Sequence, residues 1–197
     1  MKVTVRVTLI ILIVLGAFAL SGCNLNGDSS GGTTYDIGDI GPSGVGIVFY
    51  VTDDGLHGLE VAPVDQYNGN GIVWSNRDEN EVGSTGTDIG TGSANTDAII
   101  AQSGHNTSAA QEAKDYRADE EGDWFLPSKN ELNAIWDNLV DDGGGNNNGV
   151  GGFVTGSYWS SSEGGSKYDA WLQGFDDGDQ SSLTKSLTLK VRAVRAF

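Results

Sequence analysis

The single cysteine of this 197-residue chain constrains the fold more than any other residue, because its setting takes it out of the folded domain. Lys2 and Arg6 form a basic start, residues 7–20 are apolar, and Leu20-Ser21-Gly22-Cys23 follows. That order reads as an export signal ending in a lipobox, with small residues at the cut and a thiol able to carry diacylglycerol. The apolar run is shorter than the ~20 residues a spanning helix needs. The expected product is a lipoprotein cut before Cys23, acylated there with palmitate among its chains, and held to a membrane through lipid alone. A lipidated Cys23 leaves no disulfide to staple the fold and no thiol for catalysis or metal. The domain must therefore stand on its apolar core.

Removal of residues 1–22 takes Lys2 and Arg6 but no acid. Of the 11 basic side chains 9 remain, against 27 acidic ones, a formal charge of −18. Phosphate binding needs clustered Lys and Arg, so nucleic acid is excluded as a partner. The plain meaning of this acidity is solubility for an exported protein. The mature length suits one domain, which buries roughly 70% of its unfolded surface. Residues 23–34 (CNLNGDSSGGTT) have the composition of a flexible tether, which places the domain at 35–197.

Within the domain, GIVFYV (46–51) and residues 58–62 flank the turn Thr52-Asp53-Asp54-Gly55 and read as a β-hairpin. Residues 72–74 form a third short strand candidate, and 75–92 a polar, Gly-rich loop. Helical pattern begins near Thr96 and resumes over 108–118 after a break at Gly104. The best-marked helix covers 129–140: Ser128 caps it, Glu131 completes a capping box, and Leu132, Ile135, Trp136 and Leu139 recur at helical spacing. The run DDGGGNNNGVGG (141–152) cannot fill a core and reads as a surface loop. Strands are expected at 158–162, 170–175 and 187–197. Strands at both ends with helices between them make an α+β domain rather than βαβ units.

GIVFYV (46–51), HGLEVAP (57–63), Asp65-Gln66, TDIGTGSANT (87–96), DWFLPSKNEL (123–132), YWSSSE (158–163), Ala170-Trp171 and VRAVRAF (191–197) occur in an order that resembles the Lcl C-terminal domain family across nearly the whole mature domain. The resemblance implies a C-type-lectin-like fold: a mainly antiparallel sheet with paired N- and C-terminal strands, two to three helices, and long Gly-rich loops that present a binding surface. Relatives of that fold include glycan-binding tips and receptor-binding proteins as well as enzymes, so fold alone does not settle function.

The candidate chemistry is that of recognition. His57 and His105 have no serine elbow or acid partner beside them and read as solvated or satisfied. Asp176-Asp177-Gly178-Asp179 offers hard oxygens on a turn, but its spacing matches no EF-hand and no lectin calcium signature is present. An exposed acidic turn is the plainer reading, with calcium a weak alternative and no other cofactor or metal expected. Tyr and Trp give large contact area at small entropy cost, and four of them, Tyr158, Trp159, Tyr168 and Trp171, border polar loops. Alternation puts Tyr158 and Trp159 on opposite faces, so one of them should be core. Trp159 and Trp171 read first as structural. The expected ligand-binding set is Tyr158, Lys167, Tyr168, Trp171, Gln173, Asp176 and Asp177. Arg192 and Arg195 are expected to pair with acids.

These readings lead to a non-catalytic, lipid-anchored protein of the cell envelope, at the outer membrane or cell surface, whose lectin-like domain binds an external glycan or surface protein in adhesion or receptor recognition. Loops 75–92, 141–157 and 164–180 are expected to form its outward face. One alternative is a structural envelope component without a specific ligand. The other is an enzyme on envelope polysaccharide, using Glu163 with an Asp of 176–179.

Overall fold

The β-branched and aromatic runs near the start of the domain form the expected hairpin: β1 (Ile47–Val51) pairs antiparallel with β2 (Gly58–Val61). The computed structural model describes residues 32–118, 122–141 and 150–197, all in one unit, Gly32–Phe197. The segment expected as a signal, Cys23, the expected tether up to residue 31 and residues 142–149 of the Gly/Asn-rich run lie outside the described residues. β3 (Ile72–Val73) follows the hairpin, and the polar run after it stays irregular as far as Thr91.

Three helices occupy the middle of the chain. α1 (Gly92–Ile100) starts four residues earlier than its apolar pattern suggests: Thr91 supplies no side-chain cap, and the Gly90 and Gly92 N–H groups at its start donate instead to Glu131 of a later helix. α2 (Ala109–Lys114) begins at Ser108, whose side chain accepts from the Gln111 N–H, and ends four residues short of the expected 118. α3 (Lys129–Ile135) has the full reciprocal capping box of Ser128 and Glu131, then widens into a π-helical turn over Trp136–Val140.

The remaining strands are β4 (Ser157–Glu163), β5 (Asp169–Gly174), β6 (Gln180–Thr184), β7 (Thr188–Leu189) and β8 (Val194–Ala196). They build three antiparallel sheets, ordered β1-β2-β8, β3-β7 and β4-β5-β6, so the domain is α+β. The C-terminal strand joins the N-terminal hairpin through β2, which separates it from β1 by one strand. The segment expected as one strand over 187–197 is two, because the chain leaves β3 and crosses to β2; residues 191–193 between them are buried. β6 is an addition to the expected set. Its sequence, QSSLT, lacks apolar alternation because it is an exposed edge.

Two apolar clusters form the core. One gathers Phe49, Leu132, Ile135, Trp136, Tyr158 and Phe175; the other gathers Trp74, Ile99, Trp124, Leu126, Trp159 and Val191. β4 runs between them, with α3 packed against it and α1 and α2 packed against it as well. Tyr158 and Trp159 therefore point to opposite faces and are both fully buried. The expectation that only one of the two would be core is corrected by a strand covered on both sides.

Candidate functional site

The expected ligand-binding residues do not converge. Tyr158 and Gln173 are 0% exposed, so neither faces a ligand. Burial, and then the Asp65 charge, push the Tyr158 hydroxyl up to about 12, and it donates to the Asp65 carboxylate at 3.1 Å. Gln173 donates to Asn133 Oδ1 and the Gly178 carbonyl and accepts from Gln180, knitting the β5–β6 turn to α3. Trp171 is half-buried, its ring covered by the Lys129 ammonium 3.7 Å from the centroid. Lys167 and Tyr168 are exposed in the β4–β5 turn, and Asp176 and Asp177 are exposed in the β5–β6 turn. These two turns cap opposite ends of β5, whose six residues span about 17 Å. One small ligand cannot touch both.

The same topology divides the expected outward face. Residues 80–86 lie at the first end, where the Val82 and Gly83 N–H groups donate to Glu163 and the Thr85 hydroxyl accepts from its N–H. Gly156 lies at the other end, donating to Asp176. Glu163 is further committed to Lys185, a fully buried ammonium 2.6 Å away that also donates to the Asn80 and Lys167 carbonyls. Glu163 and the acids of 176–179 thus share no cleft. In the acidic turn, Asp177 accepts from the Asp179 N–H. Among the described residues, no group of three His, Cys, Asp or Glu side chains is placed to hold a metal ion.

Arg192 and Arg195 pair with acids as expected. Arg195 reaches Glu60 at 3.2 Å and Asp123 at 2.6 Å. Glu60 is fully buried, and desolvation raises its carboxyl above the usual range despite hydrogen bonds from Ser43 and the Arg195 charge. Arg192 meets Asp65 at 2.6 Å, donates to the carbonyls of Ala62, Gly151 and Gly152, and lies over the Phe153 ring. His57 is exposed, whereas His105 shares a 2.9 Å hydrogen bond with Ser108, the cap of α2; burial lowers its pKa.

Asp65 also borders a groove of about 440 Å³ that residue patterns did not single out. Its walls are Val64–Asn68 on one side and Glu112, Asp115, Tyr116 and Arg117 at the end of α2 on the other. The first wall is pinned from behind: Asp65 by Arg192, and Gln66 by its own bonds to the Val64 carbonyl and the Ala193 N–H. The chain then turns outward through Tyr67 (φ 54°) and Asn68 (φ 53°), the only described non-glycine residues with positive φ. An L-residue in the left-handed region costs about 1–2 kcal/mol, and Tyr lacks the short polar side chain that lets Asn tolerate it. Tyr67 is nonetheless 48% exposed, and Val64 beside it is 55% exposed.

The second wall is acidic and partly dry. Desolvation, then the nearby Asp115 charge, raises the Glu112 carboxyl, which makes no hydrogen bond or ion pair among the described residues. Tyr116 stands edge-on to Trp124 at 5.0 Å, which fixes its ring from below. Arg117 is held by the Lys114 and Tyr116 carbonyls. Asp115 accepts from the Gln111 amide, so Glu112 is the carboxylate of this wall left to a ligand; an apolar face beside it and the exposed Asn68 can stack on a sugar ring and accept from its hydroxyls, or seat a short peptide. The sequence carried one signal for this site: the Asn-Gly-Asn-Gly run at 68–71, which demands a left-handed turn after an exposed aromatic.

The family model of the Lcl C-terminal domain matches residues 66–195, and the chain belongs to that family. No curated protein matches the chain.

Proposed function

We propose that this member of the Lcl C-terminal domain family is a lipid-anchored envelope protein with a lectin-like fold, and that its domain binds an external glycan or surface protein without chemical turnover. The groove between Val64–Asn68 and the end of α2 is the site. One observation carries this reading: an exposed tyrosine held in a strained left-handed conformation at the lip of a groove. Strain of this kind persists where surrounding structure enforces it, and Arg192–Asp65 and Gln66 do so here. The acids Glu112 and Asp115, in a chain of −18 after processing, favour a neutral or amine-bearing ligand over a sulfated or phosphorylated one.

A second reading rests on the exposed Tyr168, Leu183 and Leu187, where the Lys185 N–H donates to the Tyr168 carbonyl and brings two loops together. A tagged fragment 24–197 on an array of neutral glycans and surface proteins, with and without chelator, separates the readings. The expected outcome is chelator-insensitive retention that Tyr67→Ala abolishes and Tyr168→Ala leaves intact. The reverse pattern moves the site to the β4–β5 turn, and no retention by the wild-type fragment favours a structural role.

A further inference from the structure

A second concavity, of about 420 Å³, lies among residues the groove does not use: Gly32, Thr33, Tyr35, Pro42, Leu56, His57 and Phe197. Its floor is apolar and aromatic, with Tyr35 edge-on to Phe197 at 5.1 Å. Ile37 and Ile40, on the loop that leads from it to β1, are 40% and 57% exposed. These groups come together because the first described residues pack on both the hairpin turn and the last strand. The Tyr35 N–H donates to the Gly55 carbonyl, and Gly58 exchanges hydrogen bonds with Phe197. Isolated exposed apolar residues are ordinary, but an aromatic-floored concavity with an exposed isoleucine, Ile40, two residues along the chain from its Pro42 wall marks an interaction surface.

We infer that this face rests on the lipid surface to which the chain is anchored, with the aromatic rings at the level of zwitterionic headgroups. The inference depends on Cys23 being the lipid attachment point. Gly32 lines the concavity and stands nine residues after Cys23. Nine residues span at most about 30 Å, so any bilayer holding Cys23 lies within that reach of the patch. The intervening residues, NLNGDSSG, are too polar to fill an apolar concavity themselves. Tyr and the amphipathic His57 suit an interface where one end of a ring is dry and the other wet. The exposed Asp36, Asp39, Asp53 and Asp54 around the patch repel anionic headgroups, which selects zwitterionic lipid as the occupant.

The test uses the full acylated chain in phosphatidylcholine vesicles. Because Cys23 is blocked by lipid, Ile40→Cys and Lys167→Cys each offer one free thiol for a fluorophore, read with nitroxide-bearing lipids as quencher. Quenching at 40 and not at 167 is expected, with the signal at 40 falling in an Ile37→Glu background. Equal quenching at both positions, or none at either, overturns the inference. Dipolar coupling between spin labels at position 40 on neighbouring chains overturns it in favour of a second copy as occupant. Mass spectrometry of the same preparation keeps the two claims apart: a chain without acyl groups on Cys23 sinks the anchor itself, whereas an acylated chain without quenching at 40 sinks only the docked face.

Discussion

Replacing Arg192 by leucine should cost this domain more than any surface ion pair could. The guanidinium is 1% exposed, meets Asp65 at 2.6 Å, and donates to three carbonyls, those of Ala62, Gly151 and Gly152. Leucine removes all of this and leaves the Asp65 carboxylate, 9% exposed, with only the Tyr158 hydroxyl as a donor. Removing one partner of a buried pair costs about 3–5 kcal/mol, because the other charge stays desolvated. In a unit of this length each kcal/mol moves Tm by about 2–4 °C, so the expected loss is about 6–20 °C. Urea unfolding of fragment 24–197 measures it, with Asp65→Asn and the double variant completing a thermodynamic cycle. The double variant should recover about 1–3 kcal/mol of the sum of the two single losses, since the residues are in direct contact. A loss under about 1 kcal/mol for Arg192→Leu, the level of an exposed pair, would refute the argument that this arginine braces the wall of the groove.

Tyr67→Gly separates strain from recognition: relief of the left-handed backbone should leave the unfolding free energy unchanged or higher by about 1 kcal/mol while ligand retention on the array is lost. Gly178 has φ 80°, and a Cβ there would stand 2.4 Å from the Trp136 indole nitrogen, so Gly178→Ala should cost about 2–4 kcal/mol in urea unfolding. The pH profile should also run against ordinary acid denaturation near neutrality. Glu60 and Glu131 are raised, chiefly by desolvation, so the folded state binds protons more readily than the unfolded one. The stability they contribute is full below the ordinary glutamate range, about 4.3, and is lost as pH rises through their elevated folded values. Calorimetry should therefore show Tm rising as pH falls through the elevated folded values of Glu60 and Glu131, with His105, whose pKa burial lowers, opposing this between the ordinary histidine value, about 6.5, and its lower folded value. Glu131→Gln should flatten the rise, and a Tm that falls steadily from pH 7 would contradict the assignment.

Local chemistry carried much of this fold on its face. The capping box at Ser128 and Glu131, the β-branched hairpin strands and the turn glycines act over a few residues, so their signal is contiguous in the chain. The α+β class and the pairing of Arg192 and Arg195 with acids follow from element order and charge balance alone. What the chain could not announce was which polar residues would be spent inside. Gln173 and Tyr158 look like surface recognition groups in sequence, yet long-range partners, Asn133 and Asp65, satisfy them in the interior. β6 escaped notice because an exposed edge strand has no apolar face to alternate.

The candidate groove lies beyond sequence reading for a related reason. Its two walls, 64–68 and 112–117, are more than forty residues apart and carry no shared period or motif. Periodicity reports which side of an element is dry; it does not report which two loops the packed core will bring face to face. Sequence alone therefore decided most of the elements, the absence of an internal disulfide in a chain with one cysteine, and the acidic charge that disfavours polyanions. Tertiary structure decided where Tyr67 points, because the buried Arg192–Asp65 pair and the Gln66 contacts fix the residues just before it, and the turn bonds at Gly69 and Asn70 close behind it, holding it in a conformation its own backbone disfavours.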